Sequence, residues 1–114
     1  MKKSSTPQQL AIDISRRSTC NVQVGAVIQD RSGRIVSWGW NNPGRDGKGQ
    51  CAEAMAVERA NPKRLKGSTI YIAGFRRRNK QIVYAKPCLS CLFFIGNYEL
   101  NWKFLDKTNK WERC

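Results

Sequence analysis

The order of elements in this chain predicts an α/β fold, with helices packed on one mixed sheet. Three observations carry that reading. Residues 21–29 (NVQVGAVIQ) are β-branched and almost continuously apolar, the pattern of a strand covered on both faces. Helix-start chemistry stands at Thr6-Pro7, and CAEAMAVERA from Cys51 is a strong helix former. Only fourteen residues follow Leu100, too few for a crossover helix and a parallel strand, so the last two strands should be antiparallel.

The elements follow in order. Thr6 caps a first helix over 7–17, with Leu10, Ala11 and Ile14 on one face. The strand over 21–29 meets the turn Asp30-Arg31-Ser32-Gly33, and 34–40 (RIVSWGW) returns as its hairpin partner. Residues 41–50 (NNPGRDGKGQ) hold three glycines and a proline and read as a loop long enough to be functional. The helix from Cys51 stops at Asn61-Pro62. A third strand covers 68–75, RRRNK is an exposed turn, and QIVYA is a short extended return. Pro87 starts a helix over roughly 88–100, and 102–106 with 110 onward make a last hairpin. No internal repeat and no linker divides the chain, which reads as one domain over 1–114.

Composition narrows the chemistry. The chain has 114 residues, 21 Lys+Arg against 8 Asp+Glu, and a net charge of +13. Such an excess attracts polyanions, nucleic acid first and an acidic lipid surface second. Its clusters are Arg16-Arg17, Lys63-Arg64-Lys66 and Arg76-Arg77-Arg78. The last is a solvated turn or a phosphate contact. No apolar run approaches the ~20 residues of a membrane span. The start, MKKSSTPQQL, has no apolar stretch behind its lysines, so the expected location is cytoplasmic. The absence of histidine excludes the Ser-His-Asp and Cys-His nucleophile schemes and any imidazole-bound zinc.

Metal chemistry must therefore run on cysteine and carboxylate. Cys88 and Cys91 are three apart on one face of a first helical turn, and Cys51 opens another helix, where a negative ligand is favoured by the helix dipole. Three thiolates and one open position make a tetrahedral zinc site of the catalytic kind. Glu53 stands two residues beyond Cys51. Deep in a helix those positions would face apart, so the pair makes sense only if Cys51 is the helix-edge residue. Two structural alternatives stand beside this: a closed zinc staple with Glu53 or Cys114 as fourth ligand, and a chance Cys-Ala-Glu. Cys20, at a strand start, is expected to be a small buried hydrophobe.

Cys51-Ala52-Glu53 followed by Pro87-Cys88-Leu89-Ser90-Cys91 resembles the cytidine deaminase superfamily signature. Upstream, Val24-Gly25-Ala26-Val27 and Gly39-Trp40-Asn41 are similar to the first two strands of that superfamily. The resemblance implies a three-layer α/β/α sandwich on a five-stranded mixed sheet, and Zn2+ held by Cys51, Cys88 and Cys91. It implies that Glu53 is the proton carrier in hydrolytic deamination of a cytosine-type base. Asn41 would orient sugar or base, and Ala52 and the backbone near Pro87 would read the base edge. Trp38 and Trp40 share one strand face, where Trp40 either stacks on a base or packs in the core. Trp102 and Trp111 are expected to pack across the last hairpin.

Branches of the superfamily divide on detail. Cys as first ligand and the terminal hairpin resemble the free cytidine deaminases. The loop Asn41-Asn42-Pro43 and the basic charge resemble the tRNA-acting enzymes. The expected substrate is thus cytosine in single-stranded DNA or RNA, touched by Arg76, Arg77 and Arg78. The alternative is free cytidine, deoxycytidine or a nucleotide. A reading of another class is a non-catalytic, zinc-stabilised nucleic-acid-binding module. A homo-oligomer is compatible with so short a domain.

Overall fold

The computed structural model describes residues 6–45, 48–83, 98–106, 108 and 110–113. Helix α1 (Pro7–Ser15) begins as its sequence requires: Thr6 Oγ1 accepts the Gln9 N–H at 3.0 Å and proline opens the first turn. It ends two residues earlier than predicted, because Arg16 and Arg17 donate to Asp13 and Ile14 in a tightened last turn. Strands β1 (Val22–Gln29) and β2 (Ile35–Trp40) form the expected antiparallel hairpin. Its turn is organised by Asp30, whose Oδ1 accepts from Ser32 N, Ser32 Oγ and Arg34 N.

The segment read as a loop instead pairs with itself. Strands β3 (Asn42–Arg45) and β4 (Lys48–Gln50) make a separate two-stranded ribbon. Glycine and proline carry little strand propensity, so local pairing rather than composition sets this structure. Helix α2 (Ala52–Arg59) follows, then a 3₁₀ turn at Pro62–Arg64, then β5 (Thr69–Arg76) and the short β6 (Ile82–Val83). Strands β7 (Asn101–Leu105) and β8 (Trp111–Arg113) end the fold as an antiparallel pair, as the chain length requires.

The main sheet runs β2-β1-β5-β7-β8, with β6 added to the far end of β5. Among the described strands only β5 and β7 are parallel, so the sheet is mixed. The expected five strands are this path, and β6 is a sixth. Two cores lie on its two faces. One joins Ala52, Ala56 and Val57 of α2 to Ala26, Ile28, Ile70, Ile72 and Phe104. The other joins Ala11 and Ile14 of α1 to Val27, Tyr71, Ala73 and Leu105. Helix, sheet and helix are thus three layers. Glycine permits the closest approaches: a Cβ on Gly39 would stand 2.6 Å from Ala52 O and Ala56 N, and one on Gly25 would run into Ala11 O.

Two expectations change. Trp102 stacks on Phe104 in the α2-side core, while Trp111 meets Tyr71 edge-on in the α1-side core. The two tryptophans therefore lie on opposite faces and do not pair across the hairpin. Cys20 is half-exposed rather than buried, since the short link from α1 to β1 lies over the end of the sheet. Pro87, Cys88, Cys91, most of the helix predicted over 88–100, and Cys114 lie outside the described residues.

Candidate active site

The first turn of α2 is seated by β2. Ser37 Oγ donates to Ala56 O at 2.6 Å, and Trp40 N–H points to Met55 Sδ at 3.4 Å. With Ala52 over Gly39 and Ala56 over Ser37, α2 runs opposite to β2, and its N-terminus reaches the end of the sheet where β2 stops. Cys51 is the N-cap, in an extended conformation with φ −78° and ψ 159°. The helix-edge placement required for a Cys51–Glu53 pair is therefore met. Cys51 is half-buried and in no disulfide.

Glu53 sits on the same first turn and is 5% exposed. Burial pushes its carboxyl above the ordinary carboxylate range, and its own backbone N–H, donating to it, pulls the other way. The described residues fit zinc: a soft sulfur donor stands at a positive helix end, with a buried carboxylate on the same first turn. Among the described residues no three potential ligands cluster, and Cys88 and Cys91 lie outside them.

The remaining predicted residues fall in different places. Ala52 is fully buried against β2. Asn41 bridges to β1: its Oδ1 accepts from Val24 N–H and its Nδ2 donates to Val22 O, both at 2.8 Å. Trp40 lies on the α1 side of the sheet, opposite α2, with the guanidinium groups of Arg17 and Arg59 at 5.3 and 4.9 Å from its ring.

Arg76 closes β5 directly opposite Val22, and Arg77 and Arg78 continue into the turn. Arg77 is pinned to the α1–β1 link, its N–H donating to Asn21 O and its guanidinium to Thr19 O. These three arginines with Asn21 and Val22 line a groove of about 480 Å³. Val24 packs in the α2-side core, so by strand alternation Val22 and Arg76 face that side too. The groove thus lies at the end of the sheet where α2 begins. Sequence distance hides this meeting of residues 19–22 with 76–78. The isolated glycine between Trp38 and Trp40 was a legible signal for the seat of α2.

Comparison with known proteins agrees with this architecture. Residues 1–102 match the model of the cytidine and deoxycytidylate deaminase zinc-binding region. A search of curated proteins by sequence finds no match. The fold is similar to cytidine deaminase from Burkholderia pseudomallei, at TM-score 0.76 and 17% identity over 95% of this chain and 88% of that one. It is also similar to cytidine deaminase from Mycobacterium leprae, at 0.64 and 19% over 93% and 88%. The dCMP deaminase of the cyanophage S-TIM5 aligns at 0.61 and 18% over 86% and 79%. With the family model spanning most of its length, this chain belongs to the cytidine and deoxycytidylate deaminase family and is a zinc-dependent hydrolytic deaminase of cytosine-type substrates.

Proposed function

We propose that the chain deaminates cytosine to uracil in single-stranded nucleic acid, with Cys51, Cys88 and Cys91 holding zinc and Glu53 carrying protons. Bound zinc supplies a Lewis acid that makes water a nucleophile near neutral pH. Glu53 accepts a proton from that water through its carboxylate and passes it to the ring nitrogen beside the amino-bearing carbon. Addition of the water oxygen to that carbon is followed by cleavage of its C–N bond. Glu53 takes the remaining proton from the added oxygen and delivers it to the departing amine, so ammonia leaves and a carbonyl remains. The burial of Glu53 on the first turn beside Cys51 supports this role.

The observation that supports a polymeric substrate is the groove of Arg76, Arg77 and Arg78 at the sheet end where α2 starts. Three cations beside a site for a base suit a phosphate backbone. Oligonucleotide affinity across a salt series tests this. Binding should weaken with a log–log slope of about −0.7 per phosphate contact. Replacing all three arginines with glutamine should flatten that slope and leave cytidine turnover unchanged. Salt-insensitive binding of single strands would remove the polymer from the account.

A second reading has its own observation. The antiparallel β7–β8 ending resembles that of free cytidine deaminases, and the solved relatives include cytidine and dCMP deaminases. Efficient turnover of cytidine or dCMP, with none of oligonucleotides, would establish it.

A further inference from the structure

On the α1 side of the sheet, away from α2, lies a cavity of about 260 Å³ lined by Ile12, Ser15, Arg16, Gln23, Phe75 and Lys80. Gln23 and Phe75 are opposite one another on β1 and β5. They share the face of Gly25 and Val27, which α1 covers. Its volume is just under the ~300–1,000 Å³ of ordinary small-molecule sites, which suits one base with its sugar.

The lining combines three chemistries. Ile12 and Phe75 are half-buried apolar walls. Gln23 is 4% exposed, and its amide is held from both ends: Lys80 Nζ donates to Oε1 at 2.8 Å and Nε2 donates to Ser18 O at 2.7 Å. A primary amide has two donors and two acceptor sites, so these two bonds use half its capacity. Arg16 and Lys80 put two cations at the rim. Lys80 also has φ 60°, a left-handed backbone where glycine is the unstrained choice. The residue here is lysine, its ammonium turned onto the buried amide.

We infer that this cavity is a second nucleotide subsite: a flat base between Ile12 and Phe75, its edge on the Gln23 amide, and its phosphate on Lys80 and Arg16. The inference rests on the reading of a nucleotide-bearing substrate. The turn 76–80 carries Lys80 at this cavity and the arginines at the groove, so one strand could occupy both. The nucleotide comes either from that strand or from free solution.

Two variants test the site. Lys80→Gly removes the cation and its bond to Gln23 while relieving the left-handed backbone, and its urea midpoint is measured alongside. Ile12→Trp fills the space from a half-buried helix position. Binding is measured with an oligothymidylate eight nucleotides long, by fluorescence anisotropy, and with thymidine monophosphate, by calorimetry. Each variant should weaken binding about tenfold, the size of one lost charge-assisted contact, and Lys80→Arg should restore it. Cytidine turnover should not change. Loss of the oligonucleotide alone identifies the strand as the source, and loss of the monophosphate alone identifies free nucleotide. If wild-type protein binds the oligonucleotide and neither variant changes either affinity, the subsite is overturned and the polymer reading survives. If wild-type protein binds neither ligand, both fall.

Discussion

On the proposed mechanism, Glu53 and Gly39 separate chemistry from support at the scale of single residues. Glu53→Gln keeps the shape of a buried side chain and removes its proton exchange. Turnover should fall by about 10²–10⁴-fold, the usual contribution of a general acid–base group, while zinc content and melting temperature hold. Zinc assay, calorimetry and kinetics on the same sample check this. Gly39 acts through α2. An alanine there would collide with Ala52 O and Ala56 N and push the helix start off the sheet. Gly39→Ala should cost roughly 1–3 kcal/mol of stability and reduce turnover further than unfolding explains. Gly25→Ala, a collision with α1 on the other face, should lower stability with no such excess loss. Urea unfolding beside turnover per folded molecule distinguishes the two.

The elements were legible where a local device fixes them. Thr6-Pro7 marks the start of α1, Asp30-Arg31-Ser32-Gly33 the β1–β2 turn, and Cys51-Ala52-Glu53 the edge of α2. What was illegible is non-local. The ribbon of β3 and β4 has no strand composition, and nothing near Val22 announces Arg76 as its partner. Asn41 could be read as a polar residue at a strand end, yet its use as a bridge to β1 depends on where Val22 and Val24 fall. Asn41→Ala should therefore lose stability as well as any substrate contact, by about 0.5–1.5 kcal/mol per hydrogen bond, read from urea midpoints.

The Asp30 turn adds a pH signature to the same scale. Hydrogen bonds from Ser32, then from Arg64 at 2.6 Å and from the Arg34 backbone, hold its carboxyl well below the usual carboxylate range. A carboxyl whose folded pKa is depressed binds fewer protons folded than unfolded. Its contribution is complete above the ordinary value of about 3.9 and is lost as pH falls from there through the folded pKa. Asp30→Asn should be less stable at neutral pH, and the gap to wild type should begin to narrow only as pH falls below about 4. Urea midpoints at stepped pH show this directly.

At the scale of the whole molecule the fold brings together charges that the sequence keeps apart. Arg16 and Arg17 directly follow α1, and the link after them is hydrogen-bonded to Arg77. Two basic clusters thus share one end of the sheet with the start of α2. Five of the chain's 21 Lys+Arg are in this way gathered at the end of the sheet where α2 begins. Free cytidine has no phosphate to use that field, whereas a single strand does.

The most direct measurement is mass analysis of a cytosine-containing single strand incubated with zinc-loaded protein, at low and high salt. Cytidine and dCMP run in parallel, and Glu53→Gln serves as control. Replacement of amino by carbonyl raises the mass by about one unit. The account predicts that gain on the strand, lost with Glu53→Gln and suppressed by salt. No mass gain on the strand would contradict it, and a gain on cytidine or dCMP alone would establish the second reading.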